Sequence, residues 1–98
     1  MYPNGNPAVQ YEIRNGLTEG KMVFFYPGGQ KMSEENMLNG NLLGEKTLYF
    51  ENGKIKSGEN YYYDELNGKA QYFYPNGKMM RKTNYLFGDK HGVEFVYN

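Results

Sequence analysis

The feature that most limits what this chain can fold into is a rhythm of glycines. Gly5, Gly29, Gly53 and Gly77 stand 24 residues apart, and Gly20, Gly44, Gly68 and Gly92 repeat that spacing. A third series, Gly16, Gly40 and Gly88, is broken only at Asp64. A fixed period of this length is the signature of a repeat architecture. Residues 3–98 divide into four units, 3–26, 27–50, 51–74 and 75–98. Apolar columns keep the same step: Phe25, Tyr49, Phe73 and Tyr97; Phe24, Leu48, Tyr72 and Val96; Ile13, Met37, Tyr61 and Tyr85. An asparagine column runs through Asn36, Asn60 and Asn84, with Glu12 in the first unit.

Each unit carries two turn signals. Asn52-Gly53 and Asn76-Gly77 are two-residue hairpin signals, because a type I′ turn needs positive φ at both central positions. The Gly-x-x-x-Gly segments, such as Gly40–Gly44, mark the opposite corner and read as four-residue loops. The stretches between corners have strand length. The 11 Tyr and 6 Phe suit strands as the 13 Gly suit turns. No segment keeps a helical period with a cap. The expectation is an all-β chain: a single domain over residues 1–98, built as an elongated antiparallel sheet of repeated β-hairpins.

A register follows from those turns. A two-residue turn at Asn52-Gly53 sets Phe50 opposite Ile55, Leu48 opposite Ser57 and Lys46 opposite Glu59. A four-residue loop at Gly40–Leu43 sets Met37 opposite Lys46 and Glu35 opposite Leu48. Directly opposed residues share a face. One face then gathers Ile13, Phe24, Tyr26, Met37, Leu48, Phe50, Ile55, Tyr61, Tyr72, Tyr74, Met79 and Tyr85, and is expected to be packed. Lys31, Glu35 and Glu59 fall on it as long-stemmed exceptions. The other face is mixed. Along it runs the row Phe25, Tyr49, Phe73 and Tyr97, flanked by Leu38, Tyr62 and Leu86. Phe25, Tyr49, Tyr62, Phe73 and Tyr97 are the candidate partner-binding residues, since aromatic anchors are enriched in interface hot spots.

The segments Asn76-Gly77-Lys78, Gly88-Asp89-Lys90-His91-Gly92 and Glu94-Phe95-Val96-Tyr97 resemble the MORN repeat. They are most similar to its bacterial variant, often described as a YwqK-family antitoxin. The resemblance spans all four units and implies a ribbon of antiparallel hairpins with a scaffolding or partner-binding role. It implies no chemistry. The column that is tyrosine in the eukaryotic pattern is Val9, Ser33, Ser57 and Arg81 here. Neutralisation of a toxin is the expectation attached to the bacterial variant. A cell-wall carbohydrate or choline binder is a further alternative, because such repeats also join aromatic pairs to Asn-Gly-Lys-Met segments. The lack of Trp weighs against choline.

Composition narrows the classes. The 11 basic and 11 acidic residues cancel, against the basic footprint of a nucleic-acid binder. No cysteine is present for disulfides or thiolate ligands. No apolar run approaches the ~20 residues of a membrane-spanning helix. His91, the single histidine, has no companions at ligand spacing and reads as a solvated turn residue. Glu34 and Glu35 point to opposite faces, and Asp64-Glu65 lies in a loop, so neither pair forms an acid–base couple. The glycine-rich segments lack the following helix of a phosphate loop. No catalytic, metal or cofactor site is expected. The last strand, ending at Tyr97-Asn98, is expected to be an edge used in self-association or by a partner strand, or the chain to be a piece of a longer array.

Overall fold

The computed structural model describes residues 1–98. It is all-β, with ten strands: β1 Val9–Arg14, β2 Leu17–Phe25, β3 Lys31–Leu38, β4 Asn41–Tyr49, β5 Ile55–Tyr62, β6 Glu65–Leu66, β7 Gly68–Phe73, β8 Met79–Leu86, β9 Asp89–Lys90 and β10 Phe95–Val96. They form one antiparallel sheet in the order β1-β2-β3-β4-β5-β7-β8-β10, with β6 beside β5 and β9 beside β8. No helix is long and apolar enough to cross a membrane. The radius of gyration is 14.9 Å and the extents are 43 × 34 × 14 Å. A compact domain of this length has a radius near ~13 Å. The sheet is a ribbon with nothing laid over either face.

The two corners of each unit are of different kinds, and both differ from the sequence expectation. At the Asn-Gly corner the loop has three residues. The Gly53 amide donates to the Phe50 carbonyl at 2.9 Å, and the Phe50 amide donates to the Lys54 carbonyl at 2.8 Å. Only Gly53 has positive φ, at 87°; Asn52 does not. This is a type I turn followed by one left-handed residue, and not type I′. Asn52 instead braces the turn, its Oδ1 accepting the Lys54 amide at 2.9 Å. Asn4 and Asn76 do the same for Asn6 and Lys78.

The type I′ turns sit at the other corner, where the sequence points to a four-residue loop. Leu38 pairs with Asn41 and Met37 with Leu42. Asn39 and Gly40 between them have φ of 49° and 81°. Gly44 is then a bulge within β4, at φ 104°. Asn36 Nδ2 spans this bulge, donating to the Glu45 carbonyl at 2.7 Å, and Asn60 does so to Lys69 at 2.8 Å. Asn36 and Asn60 of the asparagine column are thus fastenings for the bulges.

These details move residues between faces. Leu48 opposes Ser57 and Lys46 opposes Glu59 as expected, but Tyr49, not Phe50, opposes Ile55. The longer loop adds one residue, and a bulge beside Lys56 absorbs it. Likewise Met79 opposes Phe73, and Lys31 opposes Phe25. Ile55, Met79 and Lys31 therefore belong to the Phe25–Phe73 face and not to the face expected to be packed. Glu35 opposes Lys46, not Leu48.

The expected sealed face is absent. Only Ser33, Ser57, Ala70 and Thr83 are buried. For Ser33 and Ser57 the cross-strand partners explain why: the row Phe24, Ser33, Leu48, Ser57 and Tyr72 alternates bulky and small side chains, while Ala70 and Thr83 oppose each other two residues along from Tyr72 and Arg81. Large groups lean over small ones, and the small ones become the interior. Beside this row lies a polar set. Lys46 Nζ meets Glu35 at 3.2 Å. The Tyr72 and Tyr61 hydroxyls donate to Glu59 at 2.5 and 3.1 Å. The Arg81 guanidinium covers the Tyr72 ring at 4.4 Å. Burial, reinforced by the Glu59 carboxylate, pushes the Tyr61 hydroxyl up to about 12 and that of Tyr72 higher still.

Candidate functional site

Consecutive units are joined at the three-residue turns by a ladder of side-chain to backbone bonds. The Tyr2 hydroxyl donates to the Phe25 carbonyl at 2.6 Å, Tyr26 to Tyr49 at 2.8 Å and Tyr74 to Tyr97 at 3.3 Å. Phe50 holds the equivalent place without a hydroxyl. Asn4 donates to the Pro27 carbonyl at 2.7 Å, and Asn52 to Pro75 at 3.2 Å. This end of the sheet is committed to holding units in step.

The aromatic row lies near this end. Phe25, Tyr49 and Phe73 are half-buried on one face, and Tyr97 is exposed. The Tyr49 hydroxyl leans toward Glu34 at 3.4 Å. Lys31 bonds Glu34 at 2.6 Å and holds its carboxyl below the usual range. Burial and the Glu34 charge push the Tyr49 hydroxyl upward. Tyr62 is not brought to this row. It sits at the far end of β5, seven residues from Ile55, or roughly 20 Å along the strand.

At that far end, the type I′ corners hold a second aromatic group. The first central position of the turn is Asn15, Asn39, Tyr63 and Phe87 in successive units, with φ of 52°, 49°, 44° and 45°. Asparagine tolerates a left-handed backbone, whereas a bulky side chain there costs roughly 1–2 kcal/mol. The aromatics are nevertheless held in place. Asp64 donates its amide to the Leu42 carbonyl at 2.9 Å and accepts the Leu42 amide on Oδ1 at 2.7 Å. Gly88 donates to the Leu66 carbonyl at 2.8 Å, and the Phe87 amide donates to Asn67 Oδ1 at 3.2 Å. Tyr62 meets Tyr63 edge-on, centroids 4.8 Å apart, and lies 6.4 Å from Phe87. Despite that contact, Tyr62 is 51% exposed, Tyr63 48%, Leu86 48% and Phe87 59%.

This cluster is aromatic and open to water, on turns bonded to the neighbouring hairpin. Tyr63 and Phe87 are not among the sequence candidates. The one signal for them is the column itself, where two Asn give way to Tyr and Phe at a turn that favours Asn. A four-residue loop hides it, because such a loop makes no left-handed demand at those positions. No group of three or more His, Asp or Glu side chains converges to hold a metal ion.

The profile of the family described as "MORN repeat variant" matches residues 18–39, 42–61 and 66–86, more than half of the chain. Each matched segment centres on a three-residue turn and its two strands, so the type I′ corners fall at or beyond the segment ends. No curated protein and no solved structure matches the chain.

Proposed function

This chain belongs to the MORN repeat variant family, and on that premise we propose that it is a non-enzymatic protein-interaction module. Its contact surface is the turn-tip cluster of Tyr62, Tyr63, Leu86 and Phe87. One observation carries the reading: two aromatic residues occupy left-handed backbone at exposed tips, where the sister units place Asn. Strain kept at an exposed position and not offset by burial points to use by a partner. The rings project from turns already bonded to the neighbouring hairpin, so little side-chain freedom is lost on contact. Tyr62 and Tyr63 also carry hydroxyls that suit a half-wet interface.

The Phe25, Tyr49 and Phe73 row is the weaker surface, being half-buried, with Tyr49 tied to Glu34. A toxin would be one kind of partner for the tip cluster, and pairing along β1 or the last strand would be one kind of self-association. The test uses immobilised protein and a Tyr63→Asn/Phe87→Asn double variant, which restores the residue of the first two units. A species held by the original chain and released by the variant supports the reading. Equal retention by both, with the variant folded, overturns it. Light scattering of both proteins over a concentration range separates self-association from a foreign partner.

A further inference from the structure

Gly58 lies in the middle of β5, an interior strand. Its φ is outside the left-handed region, and a Cβ built there would meet nothing within 4 Å. Neither turn geometry nor crowding requires glycine. A glycine in a strand interior costs roughly 0.5–1 kcal/mol relative to alanine and often marks close approach by something else. At this column the other units carry Gln10, Glu34 and Lys82.

The pairing makes Gly58 the centre of a grid. Thr47 and Gln71 flank it directly. Glu45 opposes Asn60 in the next row, with Lys69 beyond, and Ile55 and Phe73 close the other side. These side chains ring an open well of about 380 Å³ whose floor is the Gly58 backbone. Strand spacing makes the grid about 10 Å across three strands, with neighbouring same-face residues about 7 Å apart along each strand.

The rim chemistry is specific. One carboxylate and one ammonium balance in charge, and neither Glu45 nor Lys69 is in an ion pair. Gln71 offers a free primary amide. Asn60 commits its Nδ2 to the Lys69 carbonyl, which leaves Oδ1 as an acceptor. Thr47 adds a hydroxyl bonded to Glu45 at 3.1 Å. Beside these stand one flat aromatic wall, Phe73, and one aliphatic group, Ile55. A neutral ligand rich in hydroxyls, with an apolar ring face, satisfies all of them together. A phosphate would meet Glu45, and a cation would meet Lys69.

We infer that the Gly58 well is a binding site for a hexopyranose unit of a neutral oligosaccharide, its ring face toward Phe73 and its hydroxyls on the Thr47, Asn60 and Gln71 rim. The inference is independent of the turn-tip cluster, which lies at the far end of the sheet. The experiment is an amide-resolved NMR titration of the whole chain with chitotriose, cellotriose and maltotriose, and with glucose 6-phosphate as the anionic control. The variant is Gly58→Gln, which places the first unit's residue in the well and leaves the backbone unstrained. The expected result is millimolar binding of at least one trisaccharide, with shifts confined to residues around Gly58. Gly58→Gln is expected to weaken it by about tenfold or more, while melting at or above the original temperature. Three results overturn the site: no localised shifts with any trisaccharide, binding that survives Gly58→Gln, or a response to glucose 6-phosphate alone.

Discussion

The two ends of the hairpins differ in what their turns are allowed to vary. At the three-residue corners, glycine keeps the left-handed position in all four units, with φ of 90°, 97°, 87° and 91° at Gly5, Gly29, Gly53 and Gly77. Tyrosine and asparagine side chains there bond across to backbone carbonyls of the next unit. At the type I′ corners the demand for left-handed backbone is as strict, yet Asn-Gly drifts to Tyr63-Asp64 and Phe87-Gly88. The first end has residues suited to their backbone and engaged with each other. The second holds residues unsuited to their backbone and facing water. There the sequence fights local conformation without gaining burial, which is the feature the proposed partner contact would account for.

The largest expected effect breaks the first end. Gly53→Val forces a β-branched residue into left-handed backbone and should lower unfolding stability by ~2–3 kcal/mol, read from denaturant melts. Next comes relief of the second end. Tyr63→Asn should raise stability by ~1 kcal/mol in the same melts, because it removes strain and loses little buried area. A destabilised Tyr63→Asn would mean that the Tyr62–Tyr63 contact outweighs the backbone, and the contrast between the ends would fail. A smaller gain is expected from Phe50→Tyr. It completes the hydroxyl ladder by supplying a donor for the Phe73 carbonyl, worth ~0.5–1 kcal/mol. No gain would show that the third unit is spaced differently from its neighbours.

The smallest effect appears only in alkali. The Tyr61 and Tyr72 hydroxyls are raised above their unfolded value near 10, Tyr61 to about 12. The folded state therefore holds these protons more tightly than the unfolded state. Their contribution is complete below pH 10 and is lost as pH climbs from 10 toward 12. Tyr61→Phe should flatten the decline in melting temperature across that window.

The period and the all-β class are legible because positive-φ positions leave glycines behind at fixed spacing. The turn types are not. Asn-Gly occurs at both corners, Asn39-Gly40 as well as Asn52-Gly53, and nothing local says which pair is left-handed at both residues. Bulges leave no mark on the sequence unless glycine fills them. The extra loop residue and the Lys56 bulge cancel, so the pairing of Leu48 with Ser57 is readable while the faces of Ile55 and Met79 are not. The sealed core fails for another reason. Large aromatics suggest an interior, whereas a single sheet buries the small residues beneath them, Ala70 and Thr83 above all, then Ser57 and Ser33. At the candidate site, Tyr62 can be found as an exposed aromatic. Tyr63 and Phe87 cannot, since their oddity exists only once the turn is known to be two residues long.

The bonds between units run from each corner to the one a single period ahead, as Tyr26 does to Tyr49. Because each copy answers only to its immediate neighbour, lifting out one whole period brings together two cut surfaces already shaped for each other. Copy number can then drift over generations in steps of two strands, with the ribbon growing or shrinking and no interior needing to be rebuilt around the splice.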